Sequence, residues 1–543
     1  MVSTISAGRA EGKTTIVGVR LLDERTSSGL SEPVDLDIAG GRVVRIRSSA
    51  KHQGGHQADA GTIIDAKAML ALPGLVNAHF HSSGTFNRGL IDNLPLELFM
   101  LQEVPPFDFG PFPPEIYRAQ VLLSATRMLK TGITAVMDDV IFYPAASPES
   151  IEAVMSAYHD SGMRATVAIY QPNKAEYSWF PHLRENLPPE YVSRIDQEPP
   201  PRTDEIMEMY EEFVRRWNGT GQGLVRCAVS CSAPQRATDD YLVRLHELAR
   251  RHGLPYNVHL YESKLQRVAA DLMYGGSLVG HLKRLGILDE LTVLIHAVWV
   301  DEQDMADIGG AGSVVVHSPS GNLRCGSGLM PFRGLREAGT PIALCTDEAT
   351  VADDCSMWSV GRLTGMIHTL GHPDYLTWPR AGEILEAMTS AGARALQLSG
   401  EIGVLAEGAR ADLILVDLNS DVYLPLTKVV NQLVYGEDGR SVRMVMVGGR
   451  MVVRDGRVTT VDEDALAKQA RALAADWLEA AGPAATWAER LSPAFEAMYR
   501  SSAVSDVGLN RWAGDDGTWL GGSGRATGTP GWGRDRRGGA AHE

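Results

Sequence analysis

The apolar positions of this chain change their period twice. From residue 13 to 70 they alternate or cluster in short β-branched runs: 14–23 (TTIVGVRLLD), 34–48 (VDLDIAGGRVVRIRS) and 62–72 (TIIDAKAMLAL). Gly40-Gly41 supplies a hairpin turn between two of them. The same texture returns at 411–418 (ADLILVDL) and 442–458 (VRMVMVGGRMVVRDGRV), where Gly448-Gly449 and Asp455-Gly456 mark tight turns. Two β-rich pieces of one kind at opposite ends predict one small β-sandwich built from both.

Between them the pattern differs. Strand-length apolar runs recur at 134–140, 164–170, 225–233, 256–262, 292–299, 313–320 and 341–348. Amphipathic helical stretches separate most of them, at 115–132, 203–219, 239–253 and 330–339, and each of these four ends in glycine, a helix-stop signal. With the run that opens at Leu72 this makes eight strands in a β-α rhythm. The pattern predicts an α/β fold, a (β/α)8 TIM-like barrel whose active site lies at the C-terminal strand ends. The expected organisation is 13–72 and 399–460 for the two parts of the sandwich and 73–398 for the barrel. C-terminal helices follow over 461–500, then a glycine-rich tail, 501–543, expected to lack fixed structure.

Two connections exceed what scaffolding needs: 92–114 after the first strand and 171–202 after the third, both rich in proline and aromatics. Long loops at this end of a barrel act as lids or specificity loops, the alternative being an oligomer contact.

Composition narrows the functional classes. The 543 residues carry 51 Lys and Arg against 67 Asp and Glu, a net charge of −16, which argues against nucleic acid or an anionic membrane as partner. Five cysteines with no C-x-x-C spacing fit neither a disulfide framework nor a zinc ribbon, and point to a reducing, cytoplasmic location. The N-terminal residues lack the apolar stretch of a signal peptide, and no apolar run reaches membrane-spanning length.

The chemistry gathers at strand ends. His79 and His81 close the first strand; residues i and i+2 share a strand face, so both turn into the lumen while Phe80 turns away. His259 with Glu262, His296, His317 and Asp347 stand at the ends of the fifth to eighth strands. One histidine in an apolar strand is more often a hydrogen-bonded core residue than a ligand. A whole set at matching ends is another matter, because burying it without metal or reaction costs on the order of several kcal/mol. Imidazoles with a carboxylate suit Zn²⁺ or Fe²⁺ and leave a position for water. His246 and His252 lie on a helix, and His52, His56 and His542 sit in polar surroundings. The glycines of 325–330 lack the spacing of a nucleotide loop. No G-x-S-x-G elbow occurs, nor the H-x-E with P-C-x-x-C of the other zinc deaminases.

At these residues the sequence resembles the amidohydrolase superfamily, in the branch of cytosine deaminase, S-adenosylhomocysteine deaminase and the triazine hydrolases. The motifs are LPGLVNAHFHSSGTFNRGLIDNLPLELFM (72–100), NVHLYES (257–263), LIHAVWVDEQDM (294–305), 315–349 and IGVLAEGARADLILVD (402–417), in the expected order. The resemblance implies one divalent metal, Zn²⁺ or alternatively Fe²⁺, held by His79, His81, His259 and Asp347. Glu262 would be the proton shuttle, His296 the polarising residue and Asp347 the acceptor of the water proton. His317, Asn322, Glu348 and Trp299 are expected to touch substrate. Members with two metals use a lysine on the fourth strand, and 225–233 has none. Glu348 stands where the family has glycine, and Gly321 where it has serine. Glu348 either reads a cationic or amino-bearing substrate or is a solvated loop carboxylate. The implied activity is hydrolytic deamination of an amino-substituted N-heterocycle by a homodimer. Dechlorination or removal of an alkylamine on the same site is one alternative, and a catalytically silent scaffold is another.

Overall fold

The computed structural model describes residues 12–49, 61–105, 107, 109–174, 177–197, 200–352 and 354–513. The first four strands, β1 (Thr14–Val19), β2 (Val34–Ala39), β3 (Arg42–Ser48) and β4 (Thr62–Asp65), form one sheet in the order β3-β2-β1-β4. The next, β5 (Met69–Pro73), leaves that sheet.

The middle of the chain supplies β6 (Leu75–His81), β7 (Ile133–Val140), β8 (Arg164–Ile169), β9 (Val225–Cys227), β10 (Val229–Ser230), β11 (Tyr256–Leu260), β12 (Thr292–His296), β13 (Val314–His317), β14 (Ile342–Leu344) and β15 (Asp347–Glu348). All pair in parallel, in two five-stranded sheets ordered β15-β6-β7-β8-β9 and β10-β11-β12-β13-β14. The runs expected to be strands are strands, but the ladder among the described residues is two sheets rather than one closed cylinder. The physical reason is that the fourth and eighth runs are interrupted, each contributing a short strand to either sheet. The fully buried patterns of β6, β7 and β8 are those of parallel strands covered on both faces. One face gathers small and branched residues, among them Val76, Ala78, Ala135, Met137, Ile295, Val314 and Val316. The other packs on helices through Leu75, Val136, Leu294 and Val315.

The helix Asp239–His252 illustrates how local sequence fixes these elements. Thr238 accepts a hydrogen bond from the Tyr241 amide, two aspartates sit in the first turn and Arg250, Arg251 and His252 in the last. Gly253 then stops the helix in the left-handed region at φ +61°.

The chain finishes with β16 (Leu413–Asp417), β17 (Val442–Val447), β18 (Arg450–Arg454) and β19 (Arg457–Val458), in the order β19-β18-β17-β16-β5. N-terminal and C-terminal sheets are thus both present, β5 belongs to the latter, and Ile16, Leu36 and Val43 share an apolar cluster with Leu413, Leu415 and Met446. Their turns touch: a Cβ on Gly41 (φ +76°) would stand 2.9 Å from the Gly448 carbonyl oxygen, so the two glycine pairs seen in the sequence serve one contact. The closing helix, Glu463–Ala503, is a single element despite Pro483 and Pro493. Residues 501–513, expected to begin a tail without fixed structure, are held in place: the Trp512 indole N–H donates to the Gly326 carbonyl at 2.9 Å, and the ring packs edge-on against Trp299. The rest of that expectation, 514–543, falls outside the described residues.

Candidate metal centre and active site

The two histidines of β6 reach the site by a detour. Val76 and Ala78 belong to the inner cluster, so strict alternation would send His79 and His81 the other way. Between Asn77 and Phe80 the register with β7 slips: Asn77 faces Val136 while Phe80 faces Asp138. Three steps along β6 match two along β7. This is a bulge, the device that re-aims side chains beside active sites. Phe80 consequently joins the outer cluster, and the two imidazoles turn inward.

There they meet His259. Nε2 of His81 lies 3.1 Å from Nε2 of His79 and 3.3 Å from Nε2 of His259. Oδ1 of Asp347 is 3.7 Å from the first ring and 3.9 Å from the His81 ring. Burial above all, then the neighbouring imidazoles, pushes the His79 and His259 rings well below the ordinary histidine range, so both are neutral at pH 7. The far nitrogens decide the tautomers. Nδ1 of His81 faces the Asp139 carbonyl oxygen at 2.5 Å and Nδ1 of His259 faces that of Ser232 at 2.9 Å. A carbonyl only accepts, so each Nδ1 carries a proton and Nε2 is left to face the neighbouring ring. Nitrogens about 2.0–2.1 Å from a tetrahedral ion stand about 3.3–3.4 Å from one another, the spacing these rings have. The donor set therefore fits a divalent metal.

A second group adjoins it. His296 donates from Nδ1 to Asn322 Oδ1 at 3.0 Å, which leaves Nε2 to face Glu262 Oε2 at 3.3 Å. Burial lowers this ring to about 3. Glu262 is pushed well above the usual carboxyl range, first by burial and then by the Asp347 and Glu97 carboxylates, which favours its protonated form. Ser318 donates to Asp347 Oδ2 at 2.9 Å, leaving Oδ1 for the imidazoles. His296 and Asp347 adopt left-handed φ values of +74° and +59°, uncommon for non-glycine residues and typical of functional sites. Gly321 gives Asp347 its room: a Cβ there would lie 2.7 Å from Oδ2.

A family model described as the amidohydrolase family matches residues 70–452, more than two thirds of the chain. The chain belongs to the amidohydrolase family. The 5-methylthioadenosine/S-adenosylhomocysteine deaminase of Syntrophobacter fumaroxidans is 29% identical over 411 residues, 76% of this chain and 86% of that protein. The 5'-deoxyadenosine deaminase of Methanosarcina mazei is 27% identical over 439 residues, covering 80% and 91%. Among solved structures, an adenosine deaminase from Xanthomonas campestris with bound zinc superposes with a TM-score of 0.75 at 24% identity, covering 86% of this chain and 98% of that one. An atrazine chlorohydrolase from Arthrobacter aurescens, complexed with zinc, gives 0.74 at 22% identity over 85% and 100%.

In this amidohydrolase His81, His259 and Asp347 open onto one cavity, walled by both long connections. Leu96, Phe99 and Met100 come from the first, and Tyr177, Trp179 and Phe180 from the second. Tyr177 and Phe180 also pack on Phe495 of the closing helix.

Of the four residues expected to touch substrate, Glu348 lines the cavity and is buried, so it is no solvated loop carboxylate. The other three are turned elsewhere. Val314 and Val316 occupy the inner face of β13, so His317 points outward, its Nε2 3.0 Å from Nε2 of His368. Asn322 is committed to His296, and the Trp299 indole N–H donates to the Ser327 carbonyl at 2.8 Å.

Other buried polar groups escaped the reading of the sequence. Asp138 takes the Ser82 amide and the Tyr158 hydroxyl. Asp139, raised to about 7 by burial, takes the Ser230 hydroxyl while its carbonyl orients His81. Two adjacent acids in an apolar strand were the available signal. Glu97 and Glu103, both buried on the helix Leu96–Glu103, had the same signal in a loop that gave no periodicity.

Proposed function

We propose that this amidohydrolase is a metal-dependent aminohydrolase that replaces the amino group of an N-heterocycle by oxygen and releases ammonia. The observation that carries the reading is the convergence of the imidazole nitrogens of His81 and His259, facing each other at 3.3 Å, beside a buried carboxyl group, Glu262, whose pKa burial raises. The relatives named above as deaminases of adenine nucleosides support it.

His79, His81, His259 and Asp347 would hold the ion; zinc is favoured by the zinc in two similarly folded structures, and Fe²⁺ is the alternative. Such an ion, when bound, supplies Lewis acidity and brings the pKa of water toward neutrality. Asp347 takes one water proton on Oδ1. Glu262 donates its proton to the ring nitrogen next to the carbon under attack, and His296 holds Glu262 through Nε2. The carbon becomes tetrahedral, and the proton on Asp347 passes to the departing amino group, which leaves as ammonia. Glu262 regains a proton from the new hydroxyl as the ring carbonyl forms.

Run 225–230 pairs with β8 through its first part and with β11 through its second, and run 342–348 pairs likewise with β13 and then β6. We read the two sheets as one (β/α)8 barrel joined at these runs. A reducing, cytoplasmic setting is supported by five free, buried cysteines. No described helix is long and apolar enough to cross a membrane. The homodimer implied by the family is read by light scattering, and a monomer mass would refute it.

The deciding experiment is an ammonia-release screen of zinc-loaded enzyme over amino-purines and their nucleosides, pyrimidines, pterins and triazines. Stoichiometric ammonia from at least one class is expected. Fully metallated protein silent on all of them overturns the reading, and chloride from a chlorotriazine identifies the dechlorination alternative.

A further inference from the structure

The cavity contains a polar wall that the deamination chemistry leaves unused. Glu348 and Glu103 lie side by side within hydrogen-bonding reach of each other. Thr350 donates to Glu103 Oε1 at 2.8 Å, while Glu103 Oε2 is buried and has no partner. Neither carboxyl group pairs with an arginine or lysine among the described residues. The arrangement is built around Gly84: a Cβ there would stand 2.5 Å from Glu348 Oε2 and 3.2 Å from Glu103 Oε1. Only glycine at this position lets both carboxyl groups close on the backbone. Independently, Gln235 lines the same cavity fully buried, and neither its amide nitrogen nor its amide oxygen has a partner. Buried polar atoms are paired as a rule, so three idle ones around one cavity call for a ligand that pairs them.

We propose that Glu103 and Glu348 form a subsite for a cationic nitrogen group, a protonated amine, amidine or guanidine, carried by the substrate in addition to the amino group that is removed, with Gln235 a further polar contact on the wall of the same cavity. The proposal rests on the aminohydrolase reading for the word substrate, but the subsite itself needs no turnover. A planar nitrogen cation offers parallel N–H donors that two adjacent carboxyl groups accept with charge-assisted hydrogen bonds. Gln235 offers one donor and one acceptor to another part of the bound molecule. The substrate class is thereby narrowed to amino-heterocycles that bear a second, basic nitrogen group.

The test is calorimetric titration of the zinc-loaded full chain with benzamidine and with benzamide, flat probes of nearly the same shape that differ in charge. Benzamidine is expected to bind on the order of tenfold more tightly, as one charged hydrogen bond predicts. In Glu103→Gln and, separately, Glu348→Gln, that preference shrinks to about twofold or less while benzamide binding is unchanged. Thermal unfolding checks that each variant is folded, and should one fail, the other decides. Equal binding of both probes by the wild type, or a preference retained in both variants, overturns the proposal. So does a second equivalent of metal per chain that disappears in the variants, because the pair would then be a metal site. Ammonia release tests the reaction separately, so loss of either conclusion leaves the other standing.

Discussion

Replacing Glu262 by glutamine separates chemistry from metal binding. The side chain lies beside the four proposed donors, His79, His81, His259 and Asp347, without belonging to them: its Oε2 faces His296 Nε2 at 3.3 Å. Glutamine keeps the shape and the contact with His296, and removes the transferable proton. General acid/base groups contribute about 10²–10⁴-fold, or about 2.7–5.4 kcal/mol of the barrier, so kcat should fall by that factor. Zinc content, measured by elemental analysis, should stay at one per chain. The same substitution has a stability signature. Burial raises the folded-state pKa of Glu262 above its unfolded value. Below pH about 4.5 both states are protonated and the group costs nothing. As pH rises the unfolded state ionises more readily than the folded one, and folding loses free energy. Metal-stripped Glu262→Gln should therefore melt above metal-stripped wild type, with a larger gap at pH 7.5 than at pH 4.5. Wild-type kcat in a fully metallated variant would refute the proton-transfer role, and a melting gap that shrinks as pH rises would refute the buried, protonated carboxyl.

Three further outcomes are expected. His259→Ala removes one of the converging nitrogens and should abolish stoichiometric zinc; unchanged metal content would exclude that ligand. Gly321→Val places a Cβ 2.7 Å from Asp347 Oδ2, with two further methyl groups on it, and should weaken zinc binding by about 10- to 100-fold in a chelator competition. Asp412→Asn leaves Arg164 buried beside a neutral amide in place of its bidentate carboxylate at 2.6 and 2.9 Å, and should cost about 3–5 kcal/mol in urea unfolding without touching the metal.

The sequence by itself determined the parts that local chemistry controls. Every strand of the middle region was legible, because β-branched apolar runs bounded by helix stops have few alternatives. His79, His81, His259, Glu262, His296 and Asp347 could be read from polar residues that end apolar runs. What lay beyond it was direction. The H-x-H pair was legible for a reason that is incomplete: alternation alone would aim it outward from Val76 and Ala78, and a register slip against β7 aims it inward. His317 ends an identical-looking run with no such slip, and points at His368 instead. A bulge is a property of two paired strands, so neither strand's sequence announces it. The acid pair Glu103 and Glu348 comes from segments more than two hundred residues apart and depends on the missing side chain of Gly84, a contact that exists only once the chain is folded.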